Sequence, residues 1–235
     1  MKSFVIAFPL PFSLQEAPEF LQSKLNLDTS KERVMVAGSS IFYKPILQNA
    51  VADLAAIFAE HSPLSSEESA EIAAHKSLLF LEFSVQSAEE FESFLTFAKK
   101  ILEAGALGVY SENSGAAWSA KTFTEIVNGD VPLEAFVNFV ETADSMFTLG
   151  LEPFAAPDFC ISLKDEKLDH RAILISAADA VVFDGQDAAS GAKWKHENNQ
   201  IFEFKNELTP PFKKGSAEWN AEGYRRLIAK KSAAK

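Results

Sequence analysis

Apolar positions along the chain follow two periods, and the switches between them mark out elements. Residues 3–8 form a short apolar run stopped by Pro9, which reads as a buried strand. Ser13 then caps a helix to about Leu25, with Phe20, Leu21 and Leu25 on its apolar side. Residues 32–37 read as a second strand, ended by Gly38. Residues 41–47 are ambiguous, because Pro45 argues for an edge or a loop. Asn49 opens a helix to Glu60, with Val51, Leu54, Ala55 and Phe58 at helical spacing. Ser65 and Glu68 have capping-box spacing ahead of a short acidic helix. Residues 77–85 are the strongest strand. Ser87 and Glu90 open the clearest helix, with Phe91, Phe94, Leu95, Ala98 and Leu102 on one face and Gly105 closing it. Residues 106–110 return as a strand.

With the two middle helices set aside as an insert, this order is the split βαβ arrangement of ferredoxin-like sheets. The expected fold class is therefore α+β. A ferredoxin-like half over residues 1–112, with a helical insert, packs on a second α+β half over 113–235. In that second half the turn at 112–115 leads into a helix to about Val127, and Pro132 opens another to about Ala143. Residues 146–151 and 158–163 read as pairing strands. Asp169 caps an apolar helix through Val182, residues 199–204 alternate as a strand, and an amphipathic helix over 219–229 precedes a basic tail. No long linker separates the halves, so two subdomains sharing a core are expected.

Composition narrows the function classes. The 235 residues carry a net charge of −11, which argues against nucleic acid and against an anionic membrane surface, both of which need a cationic face. Phenylalanine occurs 21 times, and rings without a polar handle belong in a core before a ligand surface. The one cysteine, Cys160, sits between Phe159 and Ile161 and reads as a buried structural thiol. The opening run meets Pro9, Pro11 and acidic residues rather than a cleavage site, so it reads as a strand rather than a signal peptide. No apolar run approaches the ~20 residues a spanning helix needs. The expected location is the cytoplasm.

Phosphate loops, dinucleotide fingerprints, zincin helices and nucleophile elbows are all absent from the sequence. His61, His75, His170 and His196 share no ligand spacing, so no metal site and no cofactor are expected. The acidic stretch at Asp165, Glu166 and Asp169 reads as a solvated loop with a helix cap. Lys213, Lys214, Arg225, Arg226, Lys230 and Lys231 read as cations on a solvated last helix. One segment stands out: Tyr110, Glu112, Asn113, Ser114 and Trp118, at a strand end feeding a helix. Such a junction offers free backbone N–H groups to a ligand. The plainer reading is a turn with Asn113 or Ser114 as the cap, and Glu112 would repel a phosphate.

The run 105–110 with its polar turn and Trp118, the later run 147–151 followed by Phe154 and Pro157-Asp158, and His75-Lys76 ahead of the strong strand resemble an uncharacterised bacterial family. That family is catalogued as domain of unknown function 4261. The similarity covers roughly residues 30–205 and includes no catalytic motif. It implies a bacterial cytoplasmic protein and no activity. Two functions remain open. One is a non-enzymatic binding or protein-interaction module, such as an immunity-like partner of a basic protein. The other is a small-ligand-binding protein or enzyme using Tyr110, Glu112, Asn113 and Trp118, with a small polar ligand.

Overall fold

The computed structural model describes residues 3–37, 39–216 and 218–230. The chain divides into two compact units, one ending at Ala135 and the other beginning at Phe136. The division thus falls after the expected boundary at Glu112. The reason is a hairpin: Val109 pairs with Trp118 and Tyr110 with Ala117, so the segment after Glu112 extends the first sheet.

In the first unit, strands β1 (Phe4–Leu10), β3 (Phe42–Asn49), β4 (Ser77–Phe83) and β5 (Gly108–Ser111) lie in the order β3-β4-β1-β5, every neighbouring pair antiparallel. Helix α1 (Ala17–Leu25) links β1 to β3, and α4 (Ala88–Glu103) links β4 to β5. Since β4 lies between β1 and β3, this is the split βαβ arrangement of a ferredoxin-like sheet, and the class is α+β. Two short strands extend it, β2 (Val34–Met35) beyond β3 and β6 (Ala117–Ser119) beyond β5. Helices α2 (Leu54–His61) and α3 (Ser66–Ala73) are the insert between β3 and β4, and α5 (Ala120–Val127) follows β6.

Several boundaries differ from expectation, each for a local reason. Pro9 lies inside β1 rather than after it. Its carbonyl accepts from the Leu107 N–H, so its missing donor faces the side where β5 has not yet begun. Ser13 belongs to a turn in which its N–H and Oγ both donate to the Glu16 carboxylate. Helix α1 begins only at Ala17, with a proline in its first turn. Asn49 ends β3 opposite Ser77 and caps nothing; Asp53, at φ +61°, precedes α2. Pro45 sits in β3, whose outer edge β2 pairs only at Phe42 and Tyr43.

Helix α4 forms as its pattern dictates. Ser87 Oγ accepts from Glu90 N–H, and Phe91, Phe94, Leu95, Ala98 and Leu102 are buried. Gly105, at φ +115°, ends it in a backbone region that residues with a Cβ enter only with strain. The helix covers one sheet face, where Phe83 stacks on Phe4 at 5.3 Å and meets Phe94 at 4.3 Å. The insert covers part of the other face: Leu54, Phe58 and Ile72 pack with Leu78 and Ala117. Gly108 permits this, because a Cβ there would lie 2.7 Å from the Phe58 ring.

The second unit is a six-stranded sheet in the order β10-β11-β12-β9-β8-β7. Its strands are β7 (Asn138–Glu141), β8 (Ser145–Leu149), β9 (Asp158–Ser162), β10 (Lys193–Lys195), β11 (Ile201–Asn206) and β12 (Tyr224–Lys230). All pairs are antiparallel except β12 with β9. Helix α6 (His170–Val182), capped by Asp169, packs on β8 and β9. Two expected helices are absent. Pro132 opens only a 3-10 turn, Pro132–Phe136, and Asn138–Glu141 then pairs with β8. The expected last helix is β12. Gly223, at φ +83°, breaks any helix started at Trp219, and β9 and β11 supply ladder partners on both sides. Lys231 and the rest of the basic tail lie outside the described residues. No helix among the described residues is long and apolar enough to cross a membrane.

Candidate functional site

The five residues singled out from sequence fall on the β5–β6 hairpin and its loop. Ser111 N–H donates to Ala116 C=O and Gly115 N–H to Ser111 C=O, both at 2.8 Å, closing a loop over residues 112–115 with Gly115 at φ +77°. Asn113 does not cap a helix. Its Oδ1 accepts from Val5 N–H at 2.9 Å and its Nδ2 donates to Ser3 C=O at 3.0 Å, so the side chain continues the β1 ladder. Ser114 Oγ accepts from Ala116 N–H within the turn. Trp118 is buried, its Nε1 donates to Ala135 C=O at 2.9 Å, and the His61 ring meets it edge-on at 4.4 Å. The helix cap is Ser119, hidden behind the three-residue strand β6. Its Oγ accepts from Thr122 N–H and donates to Glu68, the capping-box carboxylate of α3. That bond, with those from Ser65, holds Glu68 down at about 2.

Asn113→Ala is therefore expected to cost about 1–3 kcal/mol, since Val5 N–H and Ser3 C=O both lose their partner. Urea denaturation checks this. A gain in stability would mark Asn113 as a functional residue instead.

Tyr110 and Glu112 remain. Cross-strand partners share a face, so the register puts Ile46, Phe80, Ala7 and Tyr110 in one row. Lys44, Glu82 and Val5 form the next, and Glu112 joins it through its N–H bond to Val5 C=O. Tyr110 and Glu112 thus lie on one face, as strand alternation predicts. Tyr110 packs its ring beside Phe58 and makes no hydrogen bond through its hydroxyl among the described residues. Burial raises the pKa of both, and the nearby Glu112 carboxylate adds to the rise at Tyr110. Lys44 and Glu82 pair at 2.9 Å across the strands. Phe42, 52% exposed, and Ile46, 37% exposed, border this strip on β3. Sequence reasoning missed them, because Pro45 obscured an alternation of Phe42, Lys44 and Ile46 that marks a strand with an open face.

The remaining candidates have structural roles. Burial pushes the Cys160 thiol up to about 12, against the state a nucleophile needs. His75 is buried, with Nδ1 on Ile72 C=O and Nε2 accepting from Val51 N–H. No three His, Cys, Asp or Glu side chains are gathered to hold a metal ion among the described residues. Asp165 accepts from Lys167 N–H in its loop. Arg226 pairs with Glu207 at 2.6 Å, and Arg225 donates to Ala188 C=O, both from a strand rather than a helix.

The chain matches no family model, no curated protein and no solved structure.

Proposed function

We infer that the chain is a non-enzymatic, cytoplasmic protein-interaction module, immunity-like in acting as an acidic partner of a basic protein. The observation that supports this is the open strip of the first sheet. It combines exposed Phe42 and Ile46 with Glu112 and with Glu82, whose carboxylate pairs with Lys44. An apolar centre rimmed by charge is the ordinary make-up of a protein contact surface. The net charge of −11 favours a basic partner through long-range attraction. The resemblance to domain of unknown function 4261 is kept as a proposed kinship and adds no activity.

A pull-down with purified chain from its own cytoplasm tests this. Wild type retains a Lys- and Arg-rich protein, and Phe42→Asp retains at least tenfold less with an unchanged Tm. No retained protein, or equal retention by the variant, ends this reading. A second reading rests on the uncommitted Tyr110 hydroxyl beside Glu112, which would seat a small polar ligand. Glu112→Gln separates the two, abolishing a ligand-induced thermal shift in the second case and leaving most protein retention in the first.

A further inference from the structure

The second sheet carries a surface of opposite sign. Along β10, β11 and β12, Trp194, Phe202, Phe204 and Leu227 are buried on one face. The alternate positions form the other face, and the register arranges them in rows. Lys195, Ile201 and Lys230 make the first row, Lys193, Glu203 and Ile228 the second, and Lys205 with Arg226 the third. Arg226 is matched by Glu207. Glu203 pairs with both Lys205 and Lys230. What remains is four lysines against one carboxylate, in a chain whose net charge is −11. Ile201 is 41% exposed and Ile228 39%, in the middle of the lysines.

Lysines on an edge strand are a common guard against strand-to-strand aggregation, and Lys193 and Lys195 on β10 would serve for that. Lys205 and Lys230 lie on inner strands, where no edge needs guarding. The backbone edge of β10 is itself partly occupied, since Gln186 Nε2 donates to Lys193 C=O at 3.3 Å. A visitor would therefore lie on the face rather than add a strand.

We propose that this lysine-framed isoleucine face of β10, β11 and β12 docks an acidic polypeptide segment, with carboxylates meeting the lysines and an apolar side chain on Ile201 and Ile228. Charge complementarity names the partner. Nucleic acid fits less well: Glu203 occupies the central row, and no aromatic of these strands is open to stack on bases, since Trp194, Phe202 and Phe204 are buried on the opposite face and Tyr224, on this one, is buried against Phe212 and Trp219. The proposal stands apart from the strip on the first sheet, and either surface can fail alone.

The test uses the full chain and a fluorescein-labelled peptide of alternating Glu and Val, read by fluorescence anisotropy. Wild type binds saturably, and binding weakens as salt rises. Lys193→Glu with Lys195→Glu lowers affinity at least tenfold at unchanged Tm. Lys164→Glu with Lys167→Glu, an equal charge change on an exposed loop, lowers it less than threefold. Absent binding, or equal losses in both variants, overturns the proposal. So does tighter binding of a single-stranded oligonucleotide or of phosphatidylserine vesicles through the same lysines. Self-association of the wild type, lost in the first variant by sedimentation, would make the occupant a second copy and overturn it too.

Discussion

Phe94→Ala is expected to destabilise the chain by about 3–5 kcal/mol, close to the whole stability of many domains. The ring is fully buried and lies 4.3 Å from Phe83, which in turn stacks on Phe4 of β1 and meets Tyr43 of β3 edge-on. One deletion therefore leaves a cavity where α4 meets three strands. Neighbours anchored in ladders on both sides cannot collapse into it. Chemical denaturation measures the loss, and a value below about 1 kcal/mol would mean that the helix presents a different face.

The second large effect is a pH dependence centred on Asp158. The carboxylate is 2% exposed and joins three parts of the second unit. Its Oδ1 accepts from Thr148 Oγ1 at 3.0 Å on β8, and its Oδ2 accepts from Asn220 Nδ2 at 2.8 Å ahead of β12. The Leu151 and Gly150 N–H groups also point at it. Burial pushes its pKa up to about 7, and these donors hold it from rising further. A carboxyl raised in the folded chain keeps its proton where the unfolded chain has lost it, here between about pH 4 and 7. Its contribution to stability is therefore favourable at the acid end of that window and falls away as pH rises through it.

Unfolding free energy should be higher at pH 5 than at pH 8, by about 3 kcal/mol at most. Below about pH 4 the trend reverses, as carboxylates held low by hydrogen bonds, such as Glu16 and Glu207, take up protons. The comparison is with Asp158→Asn, which should flatten the slope between pH 5 and 8. An unchanged slope in the variant would assign the effect elsewhere.

The first unit was legible where several local signals agreed. Helix α4 has a capping serine, a stripe of Phe and Leu, and a closing glycine, all pointing to one answer. The ferredoxin-like order followed once the insert was recognised by its own capping box. The second unit was less legible, because pairing overrode local preference. In Tyr224-Arg225-Arg226-Leu227-Ile228 the apolar positions suit either a helix or a strand, and only the gap between β9 and β11 decides.

The candidate site divided in the same way. Strand alternation placed Tyr110 and Glu112 together. The cap was misassigned because Ser119 stands behind a strand of three residues, too short to leave a period in the sequence. Asp158 gave no signal at all: a lone Asp before Phe159-Cys160-Ile161 reads as a strand end, and its donors come from residues up to 62 positions away.

We propose that the open strip of the first sheet meets another protein. Site-specific photo-crosslinking in cells tests it most directly, with a benzophenone amino acid in place of Phe42 and, as control, of Leu208, which is 83% exposed in the second unit. A discrete adduct to one basic protein from position 42, absent from position 208, is the predicted result. No protein adduct at 42, or the same adducts from both positions, would contradict it.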